Sequence, residues 1–146
     1  MIVGYIFPVK KEHTERIFNQ NKCILVYSYT RKKLHEGHKI LFYNPSPISA
    51  LVGGAEIIAI RQSSSKEILA NSDKTCQTKE ELQDYLTISP TVWTGKKKRD
   101  KKYFTTIEFH NSKKYSIAIK MIKPMIPNGY YILKSEYDFY IKQLKE

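Results

Sequence analysis

The chain has 146 residues, 41% of them hydrophobic and 27% charged, and its 25 Lys and Arg against 14 Asp and Glu leave a net charge of +11. That length suits one domain with one buried core, and the apolar share excludes a disordered basic tail. No apolar run approaches the roughly 20 residues needed to span a bilayer, and the opening Met1-Ile2-Val3-Gly4-Tyr5-Ile6-Phe7 lacks the basic flank and cleavage site of a signal peptide, so a cytoplasmic protein with no membrane partner is expected.

In chain order, Ile2 to Phe7 predicts a strand stopped by Pro8. Lys10 to Asn19 predicts a short helix with Glu12 one turn before Arg16. Lys22 to Thr30, rich in β-branched and aromatic residues, predicts a second strand. A charged loop with a turn at Glu36-Gly37 leads into a strand from Lys39 to Tyr43, which Asn44-Pro45-Ser46-Pro47 breaks. Leu51 to Arg61 is a long apolar strand whose glycine pair marks a bulge or a close backbone approach. The serines at 63 to 65 cap a short helix through Asn71, and Thr78-Lys79-Glu80-Glu81 is a capping box for a helix ending near Leu86. A loop over Pro90 to Lys102 follows. Tyr103 to Phe109 and Tyr115 to Ile122 then predict a hairpin around Asn111-Ser112. Asn128-Gly129 makes a turn, Tyr130 to Leu133 a strand, and Ser135 caps a last helix. About seven strands and four short helices are too many strands for a bundle and too few βαβ alternations for a parallel sheet. A small antiparallel barrel with peripheral helices is expected.

The charge is concentrated. Lys96, Lys97, Lys98, Arg99, Lys101 and Lys102 surround the single Asp100 and give +5. Arg31, Lys32, Lys33 and Lys39 against Glu36 add +3. A folded core does not absorb such runs, because each cation would lose its hydration without a carboxylate to replace it, so the two segments point to an extended anion such as a nucleic-acid backbone. The chain also holds 11 tyrosines. Most such rings belong to half-buried strands, but Tyr27 and Tyr29 share one strand face by the period of two, and Arg31 continues that face toward the basic loop. Trp93, the single tryptophan, stands three residues before the lysine run as a candidate stacking residue. His13, His35, His38 and His110 form no convincing ligand set, and Cys23 and Cys76 belong to no CxxC pair, so no metal and no cofactor is expected, and the cysteines suit a reducing compartment. Glu56, in the middle of an apolar strand, is a solvent-facing side chain by alternation or a buried base.

The phrases IVGYIFPVKKEHTERIF, GHKILFYNPSP…LVGGAEIIAI and KPMIPNGYYILKSEYDFYIKQL resemble the mainly archaeal family called domain of unknown function 365, which looks like a member of the PUA-like superfamily with the ASCH, EVE and YTH domains. The resemblance runs nearly end to end. It implies a single PUA-like domain over residues 1–146, of the α+β class and predominantly β, built as an open antiparallel barrel with peripheral short helices and used to bind RNA or modified bases. Certain ASCH proteins are amidohydrolases that remove an acyl group from a modified cytidine through a lysine in a GxKxxExR-like phrase. Lys22 holds the corresponding place, but Cys23-Ile24-Leu25-Val26-Tyr27 follow it, so the lysine alone is carried over.

Three readings follow. The first is an RNA-binding module, with DNA as a second possible partner. Its two basic segments would grip phosphates, and Tyr27, Tyr29, Tyr43 and Trp93 would hold one exposed or modified base. The second is a hydrolase of a modified nucleoside using Lys22 and Glu56. The third is an interaction subunit whose basic face docks on an acidic protein.

Overall fold

A computed structural model describes residues 1–88 and 103–145. Six strands form one sheet in the order β2-β5-β4-β3-β1-β6. These are β1 (Ile2–Pro8), β2 (Ile24–Tyr27), β3 (Lys39–Asn44), β4 (Ala50–Ser64), β5 (Tyr103–Ile119) and β6 (Tyr130–Leu133). The helices are α1 (Lys11–Gln20), α2 (Ser65–Ala70), α3 (Lys79–Ile88) and α4 (Lys134–Lys142), with 3-10 turns at Ser72–Lys74 and Gln143–Lys145. β1 pairs with β3 in parallel and the other ladders are antiparallel, so the sheet is mixed. Its edges, β2 and β6, are not hydrogen-bonded to each other, which leaves the barrel open. No helix among the described residues is long and apolar enough to cross a membrane.

The two halves of the expected hairpin form one continuous strand. Asn111 does take the left-handed conformation a turn needs, at φ 54, but both halves find their partner in the long strand β4 rather than in each other. Phe109 lies opposite Ile57 and Ile119 opposite Leu51. Register shifts at Leu51/Gly53, Gly54/Glu56 and Ile57/Ala59 absorb the extra residues, and such bulges bend and twist the strands that carry them. The seven expected strands therefore become six.

Alternation along the strands sorts the core onto two faces. Tyr5, Phe7, Leu25, Ile40, Phe42, Ile57, Ile107 and Phe109 pack on one face, closed by Ile17 of α1. On the other face α4 covers Ile6, Leu41, Leu51, Ile119 and Ile132 with Tyr140. Farther along that face, α2 and α3 cover Val26 and Phe104 with Ile68, Leu82 and Leu86. Buried Asn44 pins α1 to β3 by donating from Nδ2 to Val9 O at 2.9 Å and to Thr14 Oγ1 at 3.0 Å.

Both expected caps near α2 and α3 form. The Ser64 hydroxyl accepts from Glu67 N, and the Glu67 carboxylate accepts from Ser64 N; Thr78 and Glu81 exchange the same pair at 3.1 and 2.8 Å. At α4 the cap differs, since Ser135 lies inside the helix and Glu136 instead accepts from Leu133 N at 3.1 Å. Glu81 also joins α3 to α1, accepting from Arg16 Nη1 at 2.7 Å and lying 3.0 Å from His13 Nε2. Burial alone would raise this carboxyl, but hydrogen bonds from His13, the Thr78 amide and Arg16 outweigh it and bring it from 4.5 to about 2. The stabilisation is therefore complete above the unfolded value and lost as pH falls through the folded one. Glu81→Gln should cost about 1 kcal/mol at neutral pH, a modest figure because the side chain is partly solvated. Urea unfolding should show the gap from wild type closing between about pH 5 and pH 2; a gap independent of pH would contradict the assignment.

Candidate nucleic-acid interface

Past the end of β2 the chain keeps its alternation long enough to put Tyr27, Tyr29 and Arg31 on one side. From the same face of the sheet, β1 contributes Tyr5 and Phe7. The Arg31 guanidinium carbon sits 4.3 Å from the Tyr27 ring centroid, 4.7 Å from Tyr5, 4.8 Å from Tyr29 and 4.9 Å from Phe7. The rings support one another, with Tyr5 and Phe7 centroids 4.6 Å apart and Phe7 stacked on Tyr27 at 5.0 Å. Each ring face attracts the cation through its quadrupole, worth about 0.5–2 kcal/mol according to desolvation.

The far wall is the turn before β6. Gly129 N donates to Ile126 O at 3.0 Å, which turns the Asn128 carbonyl inward. That oxygen accepts from Tyr5 Oη at 2.6 Å and from Arg31 Nη2 at 3.3 Å. Arg31 is only 7% exposed, and its buried Nε and Nη1 have no hydrogen-bond partner among the described residues. Burial raises the Tyr27 and Tyr29 phenols, against the opposing pull of the Arg31 charge. Tyr29 is the outermost of the four rings at 44% exposure. Beside the cage on the same face is a polar group in which Gln62 Nε2 donates to Thr30 Oγ1 at 2.7 Å and to Thr105 Oγ1 at 3.0 Å.

The other sequence-derived candidates divide. Lys32 and Lys33 are exposed at the rim. Arg31, expected to meet phosphate at the surface, is instead sunk in the cage. Lys39 is ion-paired with Glu56 at 2.7 Å, directly across the β3–β4 ladder, and this partner holds the Glu56 carboxyl below its ordinary value. Glu56 has His110 at 3.6 Å on its other oxygen, while the Lys22 amine donates to the Asp73 backbone oxygen; Lys22 and Glu56 therefore have separate partners. Tyr43 packs with Leu41, Leu51 and Ile119 on the opposite face of the sheet from Tyr27, so it is not part of the cluster. Its ring follows Phe42 by one residue, and a step of one reverses the face. Trp93 and the run Lys96, Lys97, Lys98, Arg99, Lys101 and Lys102 lie outside the described residues. Tyr5, Phe7 and Asn128 were not among the sequence candidates. The Tyr-x-Phe spacing in β1 was the available signal for the first two.

This open, curled sheet defines a PUA-like fold. The ASCH protein of Zymomonas mobilis is similar at a TM-score of 0.75 and 12% identity, with 96% of this chain and 94% of that one covered. A mutant form of the same protein gives 0.77 at 11% identity, covering 96% and 97%. The N-terminal domain of Staphylothermus marinus McrB gives 0.59 at 11% identity, covering 95% and 92%. The chain belongs to the family described as domain of unknown function (DUF365), whose model matches residues 2–134. No curated protein matches it.

Proposed function

We propose that the protein is a nucleic-acid-binding module of PUA-like fold, with RNA as its first partner and DNA as its second. The observation that carries this reading is the 29–33 stretch, where a half-exposed tyrosine and two exposed lysines border a buried, aromatic-walled cation on a chain of net charge +11. Lysines at such a rim supply sequence-independent phosphate contacts, and a tyrosine beside them offers a face for an unstacked base, worth about 1–3 kcal/mol when a base stacks on it. The 96–102 run would add further phosphate contacts, with Trp93 as a second stacking face. Exposed bases in loops and ends are where RNA is read.

Fluorescence anisotropy with labelled single strands tests this. Replacing Lys32 and Lys33 with serine should weaken binding to every sequence alike, by about tenfold at low salt, and should reduce the salt slope by about 0.7 for each phosphate no longer neutralised. Undiminished affinity in that double variant would remove the 29–33 rim from the interface.

A further inference from the structure

A guanidinium as deeply buried as that of Arg31 has lost its water, and a cation in that position is ordinarily retained beside a carboxylate. No carboxylate among the described residues is ion-paired with it. The four rings offset part of the charge, and the Asn128 carbonyl accepts one bond from Nη2. Nε and Nη1 carry three of the five guanidinium donors, and among the described residues these find no acceptor. Among the described residues the site therefore supplies no negative charge, and too few acceptors for its donors.

Ligand chemistries meet that deficit unequally. A base carbonyl would satisfy a donor and leave the charge unbalanced. A phosphodiester inside a strand is flanked by sugar on both sides, which suits Lys32 and Lys33 at the surface better than a recessed cation. A phosphate monoester projects from one attachment point, bears up to two charges and presents three acceptor oxygens. We infer that the Arg31 cage binds a phosphate monoester, carried by a free nucleotide or by the end of a strand, with Tyr29 swinging off the guanidinium to stack on the attached base. Tyr29 is the ring that can move, being the most exposed of the four and lying beyond the end of β2. The inference rests on the nucleic-acid reading above and names the group that its central site takes.

The test compares one single-stranded RNA in three forms, with a 5′-phosphate, with a 3′-phosphate and with hydroxyls at both ends, alongside a nucleoside and its 5′-monophosphate, all against the full chain. One phosphorylated form should bind at least about tenfold tighter than its hydroxyl counterpart. Arg31→Met should abolish that preference while leaving thermal stability equal or higher, because an uncompensated buried charge is replaced by an apolar side chain. Should that variant fail to fold, Arg31→Lys decides, since it keeps the charge but not the planar donors and should lose most of the preference. Equal affinity for phosphorylated and hydroxyl forms in the wild type overturns the inference, as does a preference that survives in the Arg31 variants. Salt-sensitive binding to all three strands with no preference would sink the cage and leave the nucleic-acid reading standing. Arg31-dependent binding of the monophosphate with no strand bound would do the reverse.

Discussion

Gly129→Ala should cost about 3 kcal/mol or more and dismantle the aromatic cage, as seen by urea unfolding and by the near-ultraviolet circular dichroism of the tyrosines. Gly129 has φ +80, and a Cβ added there would stand 2.1 Å from the backbone oxygen of Ile6 and 2.9 Å from Tyr5 Cε1. The left-handed conformation alone costs an L-residue about 1 kcal/mol. The rest comes from collision with backbone, which only a shift of β1 or of the turn relieves. Tyr130 pairs with Ile6 in the next position, so that shift also breaks the end of the β1–β6 ladder. It displaces the Asn128 carbonyl from Tyr5 and Arg31 as well. Gly37 separates the two causes. It has φ +84 and nothing within 4 Å of the added carbon, so Gly37→Ala should lose only about 1 kcal/mol. Equal losses in the two variants would show that the approach to β1 is unimportant.

The second large effect concerns binding. Replacing Lys97, Lys98, Arg99 and Lys101 together with serine should lower affinity for single-stranded RNA about 100-fold or more at low salt and flatten the log–log salt slope by about 3. Each phosphate neutralised on a single strand releases about 0.7 of a counterion, so the four substitutions act together, whatever the sequence. Anisotropy titrations at several salt concentrations measure both numbers, with the melting temperature of the variant as the control for folding. A variant that binds as tightly as wild type would make the run a solvated segment with no part in recognition.

Local signals in the sequence carried most elements and little of their assembly. The alternation Tyr27, Tyr29, Arg31 was legible because a period of two survives past the end of β2. The company those residues keep was not. Tyr5 and Phe7 arrive through a parallel β1–β3 pairing and Asn128 through a turn 97 residues beyond Arg31, and neither register is written locally. Tyr43 shows the same limit from the other side, since its aromatic character was plain but the face it occupies depends on how β3 is registered against β1 and β4. Asn111-Ser112 carried a genuine turn preference, and Asn111 honours it in its backbone angle, but the length of β4 decided that the strand would run on. Lys39 read as a phosphate contact and Glu56 as a candidate base; their direct opposition across β3 and β4 makes them each other's partner. Burial of Arg31 was hidden for the same reason, because a basic cluster in sequence gives no sign of which member turns inward.

The measurement that most directly tests nucleic-acid binding is the affinity of the full chain for single-stranded RNA, duplex RNA and single-stranded DNA across a series of salt concentrations. The expected result is micromolar or tighter binding to RNA, weakening linearly in log–log form with a slope that corresponds to several phosphate contacts. Absence of binding to all three at low salt, or binding indifferent to salt, would contradict the proposal.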